Sequence, residues 1–457
     1  MNQKGITLVE LLVSFSIITI LSLGLFKATL NIEEKQMINI SKNNFVSFNS
    51  IINNSIQNDF LTKEIKSFTQ CGINCYEITY KGNEIKKLEL DKEKKIISYG
   101  DVKENLPNNY FFYDDMNLTK YTSSDNENNS YILLNIPIRS NFNSNKKDIK
   151  IMYQYNGTDI LKINFKSHIE NLYNTKASEN GLVKDDTVDH NIRYVGSNNV
   201  VKNYVSFDGD MWRIIGIIDG KVKLVKEKSL GTYSYDTSPS DKNNGAGYNI
   251  WETIEGKTKP DGTTKADINI LLNEGYYGGT YPSACYGGGS NANKACPTTY
   301  INPTLKTMVD ENAEWKFGSV KTDLNNVLSV YEYEIGENIY SEHKELTSTK
   351  WTGAVALISP SDYLLAGKYE YCLNDENNYT TENCRNNNWM YKYISIWLNN
   401  AIIEYNSVAL HRSSFGSINN YFVYSSLDVI PSVYLKSTTL IESGSGTSTD
   451  PYILSIN

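Results

Sequence analysis

Most of the residue patterns on which enzyme sites depend are missing from this 457-residue chain. It has no His-Glu-x-x-His sequence, no Gly-x-Ser-x-Gly at the end of a strand, no P-loop and no glycine motif for dinucleotides. Its four histidines do not lie at ligand spacing from any pair of cysteines. We therefore predict that the protein is not an enzyme and that it holds no metal and no cofactor.

Positive charge is also in short supply. Lys and Arg number 44 against 52 Asp and Glu, which gives a net charge of -8, and all of the acidic excess lies beyond residue 170. Proteins that bind nucleic acid through the phosphate backbone present a basic surface. The composition thus argues against nucleic acid as a partner.

Proline and charge are both absent from long parts of the N-terminal region. No proline occurs before Pro107, and no charge interrupts the run from Leu11 to Phe26. We predict one helix from Ile6 to about Lys63. At about 1.5 Å per residue, the portion from Ile6 to Phe26 spans roughly 31 Å, which is enough to cross the hydrocarbon core of a membrane.

Glu10 is the one charged residue inside this apolar segment. A carboxylate within a membrane costs at least about 2.5 kcal/mol and usually marks a functional site whose partner is a buried cation. A plain signal anchor that happens to contain Glu10 is an alternative. A secretory signal peptide fits poorly, because Glu10 interrupts the apolar region and no small-x-small cleavage sequence follows Phe26.

The short polar leader ending in Lys4-Gly5, followed by the apolar run with Glu10, resembles the class III leader of type IV pilins and pseudopilins. The resemblance implies that a prepilin peptidase cleaves after Gly5 and that the new amino group, on Ile6, is methylated. It also implies that Glu10 pairs with the free amino group of a neighbouring subunit in the fibre. Ile6 stands where the family usually has phenylalanine. The partners that it implies are the prepilin peptidase, other pilin subunits and the membrane.

A globular head is predicted to follow the membrane segment. Apolar residues at steps of three or four form one stripe along the helix: Phe45, Phe48, Ile52, Ile56 and Phe60. Alternating segments then favour antiparallel strands over residues 76–80, 85–90, 131–139 and 149–155. Residues 105–130 are polar and are interpreted as a loop. A long helix followed by an antiparallel meander is also what the resemblance to pilins implies.

We divide the chain at changes of composition. The predicted parts are a leader over residues 1–5, a transmembrane and assembly helix over 6–30, a pilin-like head over 31–168, a linker over 169–189 and a C-terminal extracellular domain over 190–457. The linker is placed where the sequence is polar and has no periodicity.

The six cysteines fall into three close pairs along the chain: Cys71 with Cys75, Cys285 with Cys296, and Cys372 with Cys384. Three local disulfides are the simplest interpretation for a chain whose bulk lies outside the cell. The sequence alone does not fix the connectivity, because six cysteines allow several sets of pairs.

The C-terminal domain is predicted to be rich in strands. Two turns, Asp208-Gly209 and Asp219-Gly220, separate apolar runs and favour tight hairpins. The segments NYVSFDGDMWRIIGI, WTGAVALISPSDYLLAG, IPSVYL and GTSTDPYIL resemble an extracellular domain found on surface proteins of low-GC Gram-positive bacteria. The last segments are also similar to the C-type-lectin-like architecture, although Ile430 replaces the usual arginine before the proline.

Aromatic residues of the C-terminal domain fall into two predicted groups. Four tryptophans set among apolar neighbours are expected to fill the core: Trp212, Trp351, Trp389 and Trp397. Four loop tyrosines are expected to be exposed: Tyr276, Tyr277, Tyr281 and Tyr286. Exposed Tyr together with Asn and Gly loops suits a glycan or protein ligand, because such surfaces combine contact area with adaptable hydrogen bonds.

The sequence as a whole predicts an α+β protein with a long N-terminal transmembrane helix, a pilin-like antiparallel head and a mixed, β-rich C-terminal domain. We expect a minor type IV pilin-like subunit that is anchored in the membrane before assembly. The bulk of its chain is expected outside the cell, and its C-terminal domain is expected to bind a ligand at the filament tip. A pseudopilin of a secretion or DNA-uptake fibre and a membrane-anchored surface enzyme are the alternatives.

Overall fold

The chain divides into two compact units, residues 1–162 and 163–457. The computed structural model describes residues 8–122, 130–142, 146–155, 160–236, 248–287, 294–320, 327–337, 339, 344–372, 380–401, 408–414 and 416–456. The sequence predicted a division at a linker over residues 169–189, and the structure places it earlier. Each unit is described separately below.

The N-terminal unit begins with one α-helix, Leu8–Thr62, which confirms the predicted long helix over the part that is described. Its C-terminal half carries the predicted apolar stripe, and all five stripe residues are buried. Ile52 and Ile56 are fully buried, and Phe45 stacks on Tyr110 with ring centroids 4.2 Å apart. Burial of this stripe against the strands is what holds the helix to the head, because burial of each such side chain stabilises by about 1.5–3 kcal/mol.

The strands of the N-terminal unit form a meander, a three-stranded sheet and a short pair. The meander runs in chain order through Ile65–Gly72, Cys75–Tyr80, Ile85–Asp91, Ile96–Tyr99 and Val102–Asn105. Leu161 and Lys162 add a parallel edge beside Phe68 and Thr69. The three-stranded sheet has the order Ile149–Tyr155, Ser130–Ile136 and Asn117–Thr122, and Tyr110–Phe112 pairs with Ile138–Ser140.

The predicted strand pairs of this unit are confirmed, but the predicted loop over residues 105–130 is wrong in part. Strands Tyr110–Phe112 and Asn117–Thr122 lie within it. Tyr110–Phe112 has only three residues and Asn117–Thr122 is largely polar, so their sequences show little period-two signal. They form because partners from distant parts of the chain supply the hydrogen bonds, as in the pairing of Leu118 with Leu134.

The C-terminal unit is built on a seven-stranded mixed sheet. Its strand order is Val355–Ala356, Ser432–Tyr434, Lys221–Lys226, Asp210–Ile218, Tyr204–Phe207, Tyr452–Ile456 and Thr439–Ser443. Ile163 and Asn164 pair with the last of these strands. A side branch adds Ile192–Tyr194 and Leu182–Lys184. The two predicted Asp-Gly turns are present, and all four of their residues have positive φ, between 51° and 85°.

A second, five-stranded sheet and several short helices complete the C-terminal unit. The sheet has the order Thr232–Tyr233, Leu427–Asp428, Ile396–Ala401, Val408–Arg412 and Ile418–Phe422, and Glu314–Lys316 pairs with Lys350–Thr352. The helical segments are Phe165–Asn180, Asp267–Asn269, Ile270–Tyr277, Pro303–Met308, Val327–Ile335, Pro360–Leu364, Tyr369–Cys372, Glu382–Asn386 and Trp389–Lys392. The predicted α+β class with a mixed, β-rich C-terminal region is thus confirmed.

The segment predicted as a linker over residues 169–189 is largely helical, which corrects that prediction. The helix Phe165–Asn180 begins after Asn164, whose side chain accepts a hydrogen bond from the Ser167 amide, and it ends at Gly181 with φ of 70°. Phe165 and Ile169 are buried on one face. Most polar residues from Asn171 to Glu179 are exposed, which explains why the segment resembles a linker in sequence.

All six cysteines are paired in the structure, in the pairs favoured by their proximity in sequence. The bonds join Cys71 to Cys75, Cys285 to Cys296 and Cys372 to Cys384. Each therefore closes a short local loop and restricts the unfolded chain within it. The last pair lies between two short helices, Tyr369–Cys372 and Glu382–Asn386.

Candidate functional site

The first half of the long helix exposes an unbroken apolar surface. Every large apolar side chain from Leu8 to Phe26 is more than half exposed, from 52% at Ile17 to 73% at Phe15. No residue between 8 and 37 is buried. Exposed apolar surface of this extent marks a region that another molecule or a membrane covers. The helix is long and apolar enough to cross a membrane.

Polar groups within this segment are accommodated in two different ways. The hydroxyls of Ser16 and Thr19 donate to the carbonyls of Leu12 and Phe15, four residues earlier, at 2.9 and 2.8 Å. Such bonds satisfy a hydroxyl inside the helix and make it compatible with an apolar environment. An ionised Glu10 cannot form such a bond with a backbone carbonyl, because a carboxylate and a carbonyl both only accept hydrogen bonds.

Glu10 is the only charged residue between Leu8 and Phe26. It is exposed, in the first described turn of the helix. An ionised carboxylate in an apolar surrounding needs a cation of opposite charge to offset its desolvation. The segment therefore combines an exposed apolar surface with a single carboxylate. The predicted processing residues, Gly5 and Ile6, lie outside the described residues.

Residues 1–26 match the family model for the prokaryotic N-terminal methylation motif. The chain thus carries the N-terminal signature of type IV pilins and pseudopilins, which supports a pilin-like or pseudopilin-like precursor. This motif implies processing by a prepilin peptidase and assembly with other pilin subunits. It points to a structural subunit, anchored in the membrane as a precursor and exposed at the surface afterwards.

No curated protein and no solved structure matches the chain. The resemblance of residues 190–457 to Gram-positive surface domains, and the lectin-like architecture, therefore stay predictions.

The aromatic residues of the C-terminal unit do not divide as predicted. Three of the four tryptophans are buried as expected, whereas Trp351 is half-buried. The prediction that four loop tyrosines are exposed is wrong for Tyr276 and Tyr277, which are 0% and 9% exposed. Both belong to the helical segment Ile270–Tyr277, whose apolar side packs into the core. Tyr281 and Tyr286 are half-buried.

Sequence reasoning missed a buried ionic cluster in the C-terminal unit. Arg193 Nε donates to Asp185 at 2.6 Å, and Arg193 Nη1 donates to Asp362 at 3.0 Å. Lys223 Nζ lies 2.6 Å from the second oxygen of Asp362. All four side chains are no more than 5% exposed. Each charge therefore has a partner of opposite sign within the fold.

A fifth titratable group, Glu334, lies beside this cluster. Its carboxylate accepts hydrogen bonds from the amide and hydroxyl of Ser361, at 2.7 and 2.5 Å. Burial raises the pKa of Glu334 to about 7, whereas Lys223 and Arg193 overcome the effect of burial at Asp362 and lower its pKa to about 2. Asp362 also accepts from the Ser359 amide and completes a capping box for the helix Pro360–Leu364. The helix thus begins directly after Ser359.

The ionic cluster pairs its charges within the fold. Its acceptors are occupied by cations, by backbone amides and by Ser361, and the space between them is about 20 Å³, roughly one water molecule. Among the described residues, no group of three or more His, Cys, Asp or Glu side chains is arranged to hold a metal ion.

Proposed function

We propose that the protein is a minor subunit of a type IV pilus-like filament. In this proposal a prepilin peptidase cleaves after Gly5, the amino group of Ile6 is methylated, and the helix packs into the core of the filament. Glu10 then pairs with the amino group of a neighbouring subunit. The observation that carries the proposal is the exposed apolar helix surface from Leu8 to Phe26, which bears a single carboxylate and coincides with the matched motif.

The chemistry of that surface supports an assembly role. A newly freed amino group is a cation that enters an apolar fibre core at low cost only if a carboxylate meets it. Glu10 lies five residues into the cleaved chain, so it travels into the same apolar layer. Contact among apolar helices, as in membrane helix association, supplies the remaining attraction.

The size of the C-terminal unit favours a terminal or sparse position. Residues 163–457 form a unit larger than the one that carries the helix, residues 1–162. A closely packed shaft that repeated it at every subunit would meet steric conflict. We therefore place the protein at the filament tip, with the C-terminal unit outside the cell as a ligand-binding head.

Two measurements test this proposal. Mass spectrometry of the protein recovered from sheared filaments is expected to give an N-terminal peptide that starts with methylated Ile6, and a Gly5→Leu variant is expected to retain Met1. Immunogold labelling of the C-terminal unit is expected at filament ends. A mature chain that still starts with Met1 contradicts the processing step, and uniform labelling along the shaft contradicts the tip position.

A pseudopilin that initiates a secretion fibre is the second candidate, because the same motif serves both kinds of assembly. The two are separated by location. A pseudopilin is retained in the cell envelope, whereas a minor pilin is recovered in the sheared filament fraction.

A further inference from the structure

The C-terminal unit contains a cavity of about 1000 Å³ away from its ionic cluster. Its wall is formed by the strand Lys350–Thr352, by residues 251–255 and by Asn273 and Tyr277 of the helical segment Ile270–Tyr277. This volume lies at the upper end of the range for small-ligand sites, which suits a short oligomer better than a single small group.

Aromatic rings form one side of the cavity. Trp251 packs against Trp351 and Phe317, with ring centroids 5.5 and 5.2 Å away. Trp351 is half-buried, so part of its ring faces the cavity that it lines. The negative face of such a ring attracts the C–H groups of a sugar, which carry slight positive charge.

A neighbouring glycine, Gly353, leaves room for the ring of Trp351. A Cβ atom added to Gly353 would lie 2.0 Å from Cη2 of Trp351. The ring can therefore lie over this backbone only because residue 353 has no side chain. A hydrogen bond of 2.7 Å from Trp351 Nε1 to Glu252 holds the ring from the other end.

Polar groups that line the same cavity are held in place before any ligand binds. Oε2 of Glu252 accepts the bond from Trp351 and another from Asn269 at 3.2 Å, so Oε1 remains as an acceptor. Glu311 accepts a hydrogen bond from the Tyr277 hydroxyl at 2.5 Å. Trp251 is 3% exposed and packs against Trp351, so it supports the aromatic wall from within the core.

The charges around the cavity disfavour an anionic ligand. The lining contains three carboxylates, those of Glu252, Glu255 and Glu311. Its two lysines are already paired with acids, Lys265 with Glu274 at 2.8 Å and Lys350 with Glu314 at 2.9 Å. A phosphate, sulfate or uronate group would therefore meet repulsion without a compensating cation.

We propose that this cavity binds a neutral oligosaccharide, with Trp351 as the stacking platform and Glu252 as a hydrogen-bonding group. The inference deepens the proposed adhesive role and rests on it. It assigns the ligand-binding face to the cavity, which includes only Tyr277 of the four loop tyrosines that the sequence suggested.

The test uses the full chain in detergent micelles on an array of neutral, amino, sulfated and sialylated glycans. The wild type is expected to bind neutral glycans. Glu252→Gln and Trp351→Ala are each expected to weaken that binding by about tenfold or more, as loss of one desolvated polar contact or anchor does. Gly353→Ala is expected to weaken it as well, because the new methyl group displaces the Trp351 ring.

Two matched controls lie outside the cavity in the same unit: Tyr369→Ala, at a residue that is 56% exposed, and Glu442→Gln, at an exposed carboxylate. Both are expected to bind as the wild type does. Thermal unfolding monitored by fluorescence shows whether each variant is folded, because all six tryptophans lie in the C-terminal unit.

Binding to anionic glycans only, binding that folded cavity variants leave unchanged, or no binding to any glycan would each overturn the inference. These failures are distinct from failure of the proposed function. If no glycan binds but incorporation into filaments depends on Glu10, the proposed filament role stands and the cavity proposal fails. If the chain binds glycans but still begins at Met1, the cavity proposal stands and the proposed processing fails.

Discussion

The helix over residues 8–37 keeps its apolar side chains on the outside, whereas the C-terminal unit keeps ion pairs on the inside. Leu8 is 73% exposed, and Asp362 is 1% exposed. In a water-soluble domain each of these arrangements is unfavourable when it is left without a partner. The difference lies in where the partner is found.

For the ionic cluster, the partners are part of the chain. Asp362 receives Arg193 and Lys223, and both contacts are 3.0 Å or shorter. For the helix, no part of the described chain covers residues 8–37. The cluster thus has its partners within the C-terminal unit, while in the proposed function a membrane and then other subunits cover the helix. The ionic cluster therefore stabilises the fold, whereas the exposed helix surface is the proposed assembly surface.

Glu10→Ala is the change with the largest expected effect. The variant is expected to reach the membrane and to be cleaved, because the apolar run remains, but to be absent from sheared filaments. Without the carboxylate, the amino group of a neighbouring subunit would enter the apolar core uncompensated. The measurement is the ratio of filament to membrane protein by immunoblot.

Glu33→Ala is the matched control for this variant. Glu33 is an exposed glutamate on the same helix, beyond the uncharged run. It is expected to assemble as the wild type does. Normal incorporation of Glu10→Ala into filaments would contradict the role of the carboxylate, since the helix would then assemble through its apolar surface alone.

Asp362→Ala is expected to destabilise the C-terminal unit by about 3–5 kcal/mol, because removal of one partner leaves buried cations uncompensated. Arg193 and Lys223 would both lose a carboxylate. The measurement is the denaturant midpoint followed by tryptophan fluorescence. Asp450→Ala, at an exposed carboxylate of the same unit, is the control, and a loss no greater than that of the control would show that the cluster is dispensable.

Glu334→Gln is expected to change the pH dependence of stability. The pKa of Glu334 is about 7 in the folded state, against an ordinary value of 4.5, and burial is the main cause. Between pH 4.5 and pH 7 the folded state therefore keeps a proton that the unfolded state has released. Its contribution to stability falls as pH rises through this window, by about 1.4 kcal/mol per pH unit.

The measurement is the difference in unfolding free energy between wild type and Glu334→Gln from pH 4.5 to pH 8. The variant does not titrate at this position, so it is expected to gain stability relative to the wild type as pH rises. Other titrating groups contribute equally to both curves and cancel in the difference. Parallel curves would contradict the raised pKa.

Features that depend on local periodicity could be predicted from the sequence. The helix stripe from Phe45 to Phe60 repeats every three or four residues, and the Asp-Gly turns fix their hairpins within a few residues. The N-terminal motif is equally local, because its parts fall within residues 1–26. Such signals need no knowledge of what a distant segment does.

The ionic cluster and the cavity could not be predicted in this way. Arg193 and Asp362 are 169 residues apart, and Glu252 and Trp351 are 99 residues apart. These residues come together because of the order of strands in the sheets. That order cannot be deduced from the spacing of apolar residues or from the residues at turns. The helix Phe165–Asn180 could have been predicted, since its apolar residues have helical spacing: Phe165, Ile169, Leu172 and Tyr173. The polar residues between them made this spacing difficult to recognise.

The smallest effect is expected for an ion pair that is exposed. Lys350 lies 2.9 Å from Glu314, nearly the distance between Lys223 and Asp362, but the two side chains are 55% and 49% exposed. Water screens such a pair, and ordering two long side chains offsets much of the attraction. Lys350→Gln is expected to leave the denaturant midpoint of the C-terminal unit unchanged within error. A loss comparable to that of Asp362→Ala would show that burial is not what makes the ionic cluster important.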